Sequence, residues 1–155
     1  MNCYEKLVDT AESMGLHVIE KKFKSSAKGL CKGNKIGISK DLENAVEKRC
    51  ILAEEMAHAV YTVGDILDQN SLANIKQENY ARKKAFEFLL PISLLIEAYE
   101  KGARSCYEIA EHLEVTEEFL LNSLYHYQNK HGLYARYGHY VIYFSPLVVR
   151  EKKAV

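Results

Sequence analysis

Hydrophobic positions recur along this chain mostly at steps of three and four, the period of helices with one face turned to a core. Leu7, Ala11 and Met14 mark such a helix over residues 4–14, and Gly15 behind them is a stop. Leu16-His17-Val18-Ile19-Glu20 reads instead as a short strand. Two extended runs, at 28–31 and 36–39, flank Gly33 and Asn34, whose turn conformations predict a hairpin. Val46, Cys50, Ala53, Ala57 and Val60 predict a long helix over 41–63, with Asp41 and Glu43 at its positive end and Gly64 as its stop. Ala81, Ala85 and Phe88 give the buried stripe of a second long helix over 72–90, with Arg82, Lys83 and Lys84 on its other faces.

Pro91 ends that helix or opens the next at its first turn, and residues 92–101 continue helical until Gly102. Ser105 with Glu108 forms a capping-box pattern for the next helix, and Thr116 caps another to about Gln128, with Glu117 and Glu118 in its first turn. Tyr140 to Phe144 reads as a strand ended by Ser145-Pro146. The pattern predicts an α+β fold dominated by helices, one domain over 1–155, with a small antiparallel sheet and no internal repeat.

Composition narrows the function. Lys+Arg and Asp+Glu are 21 each, so the net charge is zero and the chain lacks the overall basic footprint of a nucleic-acid binder, though a local basic patch is allowed. The helix pair near 105–128 has the outline of a helix-turn-helix. Its second helix begins with Glu117 and Glu118 and has no Lys or Arg before Lys130, so it would repel phosphates. We read it as a packing pair, with no direct nucleic-acid partner expected. Neither a secretory leader nor an apolar run of membrane-spanning length is visible, so a cytoplasmic location and no membrane partner are expected. Cys3, Cys31, Cys50 and Cys106 form no C-x-x-C pair and read as reduced thiols.

The chemistry concentrates in Glu54-Glu55-Met56-Ala57-His58. In H-E-x-x-H, two histidines on one helical face bind zinc, and the glutamate acts as general base. Here Glu54 stands in the first histidine's place, so the motif reads E-E-x-x-H. Glu54 and His58 are four residues apart and share a face, which equally describes an exposed ion pair worth about 0.2–0.5 kcal/mol. Glu78, twenty residues beyond His58 in the next helix, could supply a third ligand if the two helices are antiparallel. Glu55 and His58 also match the Glu-x-x-His of di-iron bundles, but no convincing second copy lies in the later helices. The Tyr- and His-rich tail (Tyr125-His126-Tyr127, His131, Tyr134, Tyr137 to Tyr140) could donate to an oxyanion, or simply alternate on a strand over helices.

Three landmarks in order resemble the ImmA/IrrE metallo-endopeptidases. Leu52-Ala53-Glu54-Glu55-Met56-Ala57-His58 is similar to the family's L-A-H-E-x-x-H helix. Glu78-Asn79-Tyr80-Ala81 with Phe88-Leu89-Leu90-Pro91 resembles its E-x-x-A…L-L-M-P helix, and Ala110 to Thr116 its A-x-x-F-x-V-S segment. Lys28-Gly29-Leu30-Cys31 with Lys35 to Ile38 looks like its small hairpin. The resemblance implies a zincin-like helix pair carrying the motif. Carried over by position, Glu55 is the catalytic glutamate, with Glu54, His58 and Glu78 as metal ligands. It also implies an intracellular protease of phage or mobile-element type whose protein substrate is a transcriptional repressor. A site with one imidazole and two carboxylates is harder than a two-histidine site; zinc is the first expectation, with manganese or iron as alternatives. The competing outcome is a degenerate site in a protein-binding module that has lost its metal.

Overall fold

Asn2 begins the first helix by accepting the Glu5 N–H at 2.8 Å, and Tyr4, Leu7 and Ala11 turn one face of the helix inward. This helix, α1 (Cys3–Ser13), opens a computed structural model that describes residues 1–61 and 72–152. The chain divides into two compact units, Met1–Ala85 and Phe86–Val155.

In the first unit, β1 (His17–Lys21), β2 (Gly29–Lys32) and β3 (Lys35–Ser39) make a sheet of order β1-β3-β2. The predicted hairpin is β2 and β3, antiparallel and paired from Gly29↔Ile38 to Lys32↔Lys35. β1 pairs with β3 in parallel, a non-local contact that no local turn signal announces. Ile36 and Ile38 on the central strand are fully buried, and the ring of Phe23 lies over Gly37 on the sheet's other side.

The motif helix, α2, is described over Ala45–Tyr61. It begins later than the pattern predicts. The Asn44 side chain accepts the Glu47 N–H at 2.8 Å and takes the capping role, while the Asp41 N–H is bound in a turn to Ser39. The stop at Gly64 and the loop over 64–71 fall outside the described residues. Cys50, Ala53 and Ala57 are buried as expected, whereas Val60 is exposed. Leu52, Met56, Glu55 and His58 are buried as well, so α2 is enclosed on more than one face. The next helix, α3 (Leu72–Leu89), buries Ala81 and Ala85 completely. With Ala57 they form a seam of small side chains that lets α2 and α3 approach closely. Phe88, which the stripe assigned to the core, is half exposed; Phe86 and Leu89 are buried instead.

The second unit contains α4 (Ile92–Glu100), α5 (Cys106–Leu113) and α6 (Glu117–His131). Pro91, Ser105 and Thr116 stand at their N-caps, and Ser105 and Thr116 accept the N–H of Glu108 and Phe119. The strands β4 (Tyr134–Tyr137), β5 (Tyr140–Phe144) and β6 (Leu147–Glu151) form an antiparallel sheet in sequence order. Only β5 was expected. Ile142 and Phe144 on its inner face are buried, and Phe144 stacks on Tyr127 of α6 at 5.8 Å. The Tyr127 hydroxyl donates to the Leu90 carbonyl at 2.8 Å. The Tyr- and His-rich tail is therefore, in part, core packing of this unit. Among the described residues, no helix is long and apolar enough to cross a membrane.

Candidate functional site

His58 lies between two carboxylates. Its Nδ1 is 3.4 Å from Glu55 Oε2, three residues earlier on α2, and its Nε2 is 3.0 Å from Glu78 Oε1 on α3. The predicted approach of α3 to the motif helix is realised through the alanine seam, which brings Glu78 across from His58. Glu55 and His58 are each 8% exposed, so neither is the solvated surface charge that the i,i+4 spacing alone describes. Buried charges persist only when paired.

Ionised carboxylates can only accept, so an imidazole with both nitrogens on carboxylates carries a proton on each. Burial alone would lower the His58 pKa, but the hydrogen bonds and charges of Glu55 and Glu78 outweigh it and lift the imidazole to about 9. The same hydrogen bond holds the Glu78 carboxyl below its usual range, against the opposing effect of burial. Glu54 behaves differently. Burial pushes its carboxyl up, and Glu55 and Glu78 push in the same direction; Arg82 and His58 pull it down.

Three further residues border the site. The Arg82 guanidinium on α3 reaches Glu78 Oε1 at 3.8 Å, although the hydrophobic stripe assigned Arg82 to another face. The Glu78–Arg82 spacing of four residues was the available signal. The backbone of β2 passes against Glu55. A Cβ on Gly29 would come within 2.7 Å of Ile51 Cγ2 and 3.0 Å of Glu55 Cγ. The Cys31 thiol is pushed up to about 11 by burial and then by the Glu55 charge. The hairpin was legible in the sequence, but its place beside the motif helix was not.

Against this geometry, a model of the IrrE N-terminal-like domain, a peptidase family, matches residues 11–125. The chain belongs to that family. No curated protein and no solved structure matches it. The IrrE-like match spans β1 to β3, both helices of the site and most of α6. As a metallopeptidase family, it implies a divalent metal and a protein substrate.

The donor set can be tested against that metal. Two ligands at about 2.0–2.2 Å from one zinc ion stand roughly 3.3 Å apart in a tetrahedron. His58 Nε2 and Glu78 Oε1, at 3.0 Å, already converge to nearly that separation. Glu54, Glu55 and Glu78 gather around His58 and Arg82, a carboxylate-rich setting that suits a divalent ion. Among the described residues, however, no three His, Cys, Asp or Glu side chains are gathered as a metal would hold them. A proton bridges His58 and Glu78 in this arrangement. The chemistry of the donors fits a hard divalent cation, and Glu54 is the side chain that would have to join the converged pair.

Proposed function

We propose that this chain is a metal-dependent endopeptidase acting on a regulatory protein of the repressor type. The observation that carries the reading is His58, buried on the motif helix with its Nε2 meeting Glu78 of the neighbouring helix. Glu54, His58 and Glu78 would hold the metal, with zinc the first choice and manganese or iron favoured by the carboxylate-rich set. A bound divalent metal supplies Lewis acidity to the scissile carbonyl and an acidified water.

The residues of the chain do the rest. Glu55 accepts the Nδ1 proton of His58, which fixes the ring so that Nε2 faces Glu78. Glu55 is also the general base: its carboxylate takes a proton from the attacking water and returns it to the leaving amine. The His58 hydrogen bond and charge keep Glu78 ionised, with Arg82 adding to them. The repressor-type substrate rests on the family resemblance of the motif helix and of the Glu78 to Pro91 segment.

A second reading is a protein-binding module without catalysis. It is favoured by the Glu55–His58–Glu78 network, in which each buried charge is already paired without a metal. Metal analysis of protein purified without added metal separates the two readings. Bound metal, or calorimetric affinity for Zn²⁺ or Mn²⁺, is expected; absence of both sinks the enzyme reading. Glu55→Gln should then abolish cleavage of a repressor-type substrate while metal binding persists. Glu54→His should raise zinc affinity, and an unchanged affinity would remove position 54 from the ligand set.

A further inference from the structure

The C-terminal sheet has one buried side and one open side. Side chains alternate across a strand, and the registers Tyr134↔Tyr143, Arg136↔Val141, Val141↔Arg150 and Tyr143↔Val148 align six of them on one face. They form two rows across the three strands: Tyr134, Tyr143 and Val148 in one, Arg136, Val141 and Arg150 in the other. The opposite face carries Ile142, Phe144 and Val149, all buried, with Phe144 stacked on α6. The six-residue face is the open one. Tyr134 is 46% and Tyr143 38% exposed, with ring centroids 5.7 Å apart. Arg136 and Arg150 are exposed, and among the described residues no carboxylate pairs with either. Lys152 follows Arg150 in the same alternation. Glu151, the acid of β6, alternates to the other side and lies 3.5 Å from His139 Nε2.

We propose that this face binds single-stranded nucleic acid, stacking unpaired bases on Tyr134 and Tyr143 and holding phosphates with Arg136 and Arg150. Adjacent rows lie about 7 Å apart along a strand, the order of the distance from a base to its own backbone. Cations without anions select a polyanion. Exposed rings select one with accessible π-faces, which a duplex hides in its stack. The zero net charge of the chain is no obstacle, because a local cluster of cations sets the potential at its own surface. The proposal is independent of the peptidase reading, since the whole sheet, β4 to β6, lies beyond the family match.

The test is fluorescence anisotropy of the full chain with labelled oligo(dT), in the presence of a chelator so that the metal site plays no part. Binding is expected at low salt, with a log–log salt slope of about −2 for three cations. Arg136→Ala or Arg150→Ala should each flatten the slope by about 0.7. The pair Tyr134→Thr and Tyr143→Thr should weaken binding on the order of tenfold with the slope unchanged; Tyr143→Phe should bind as the parent does. Ultraviolet crosslinking of the unaltered protein should label Tyr134 or Tyr143, a readout that needs no folded variant. No binding at low salt, or crosslinks only elsewhere, overturns the proposal. So does equal competition by duplex DNA or by polyglutamate, the latter pointing to an acidic protein partner instead.

Discussion

His58 carries more than its motif position suggests, because each of its ring nitrogens meets a carboxylate. Its pKa is raised from 6.5 to about 9 in the folded chain. The stabilisation from its protonated form is therefore fully present below about 6.5 and is lost as pH rises through about 9. In metal-free protein, imidazole NMR shifts should titrate near the upper value, and a midpoint at the ordinary histidine value would show that the pairing does not form in solution. Metal must displace that proton, so zinc affinity measured by calorimetry should weaken as pH falls below about 9, with proton release on binding. Cys31 offers an independent reading of the same neighbourhood. With its thiol pushed up to about 11, alkylation of Cys31 near neutral pH should be slow, and Glu55→Gln should speed it by removing the nearby charge. Peptide mapping of the alkylated cysteines checks this; equal rates in both proteins would place Glu55 away from β2. The Glu54–His58 spacing was legible in the sequence because helical geometry is local. The partners of His58 were not, since Glu78 reaches it only through packing of α3 on α2.

At the scale of elements, caps and turns were the most legible features. Ser105 and Thr116 act as the capping pattern predicts, and Gly33 with Asn34 closes the β2–β3 hairpin. Hydrophobic stripes were less faithful at the helix ends, where Phe88 and Val60 are exposed. A helix buried on several sides has no single stripe to extrapolate, and α2 is such a helix. β4 and β6 escaped notice because Arg136 and Arg150 break the apolar pattern on the open side of the sheet and Glu151 breaks it on the other. The close approach of β2 to α2 makes Gly29 a sensitive position. Gly29→Ala should destabilise the chain by about 1–3 kcal/mol in denaturant unfolding, because its methyl meets Ile51 and Glu55. A neutral result would mean that β2 can move away from the helix without cost.

Over the whole molecule, the two units share a dependence on buried tyrosines. Burial pushes Tyr4 in the first unit up to about 12, with Glu20 adding to it; burial raises Tyr127 in the second, with Glu87 adding to it. For a phenol with a raised folded pKa, stability is intact below the unfolded value near 10 and declines as pH rises towards the folded one. Thermal unfolding followed by circular dichroism should show melting temperature falling above about pH 10, with late tyrosinate absorbance. Ionisation of every tyrosine near 10 without unfolding would contradict the burial of both phenols.

The sequence by itself determined the helix-dominated α+β class, the order of most elements, the family and the identity of the motif residues. Each of these depends on short-range periodicity, on caps and turns, or on residue order. Only the tertiary structure decided that Glu55 and His58 are buried, that Glu78 and Arg82 close on them, that β2 lies against Glu55, and that the last sheet leaves a basic, aromatic face open. Those facts depend on which faces of distant segments are brought together, and the small side chains of Ala57, Ala81 and Ala85 announce such contacts by no pattern of their own.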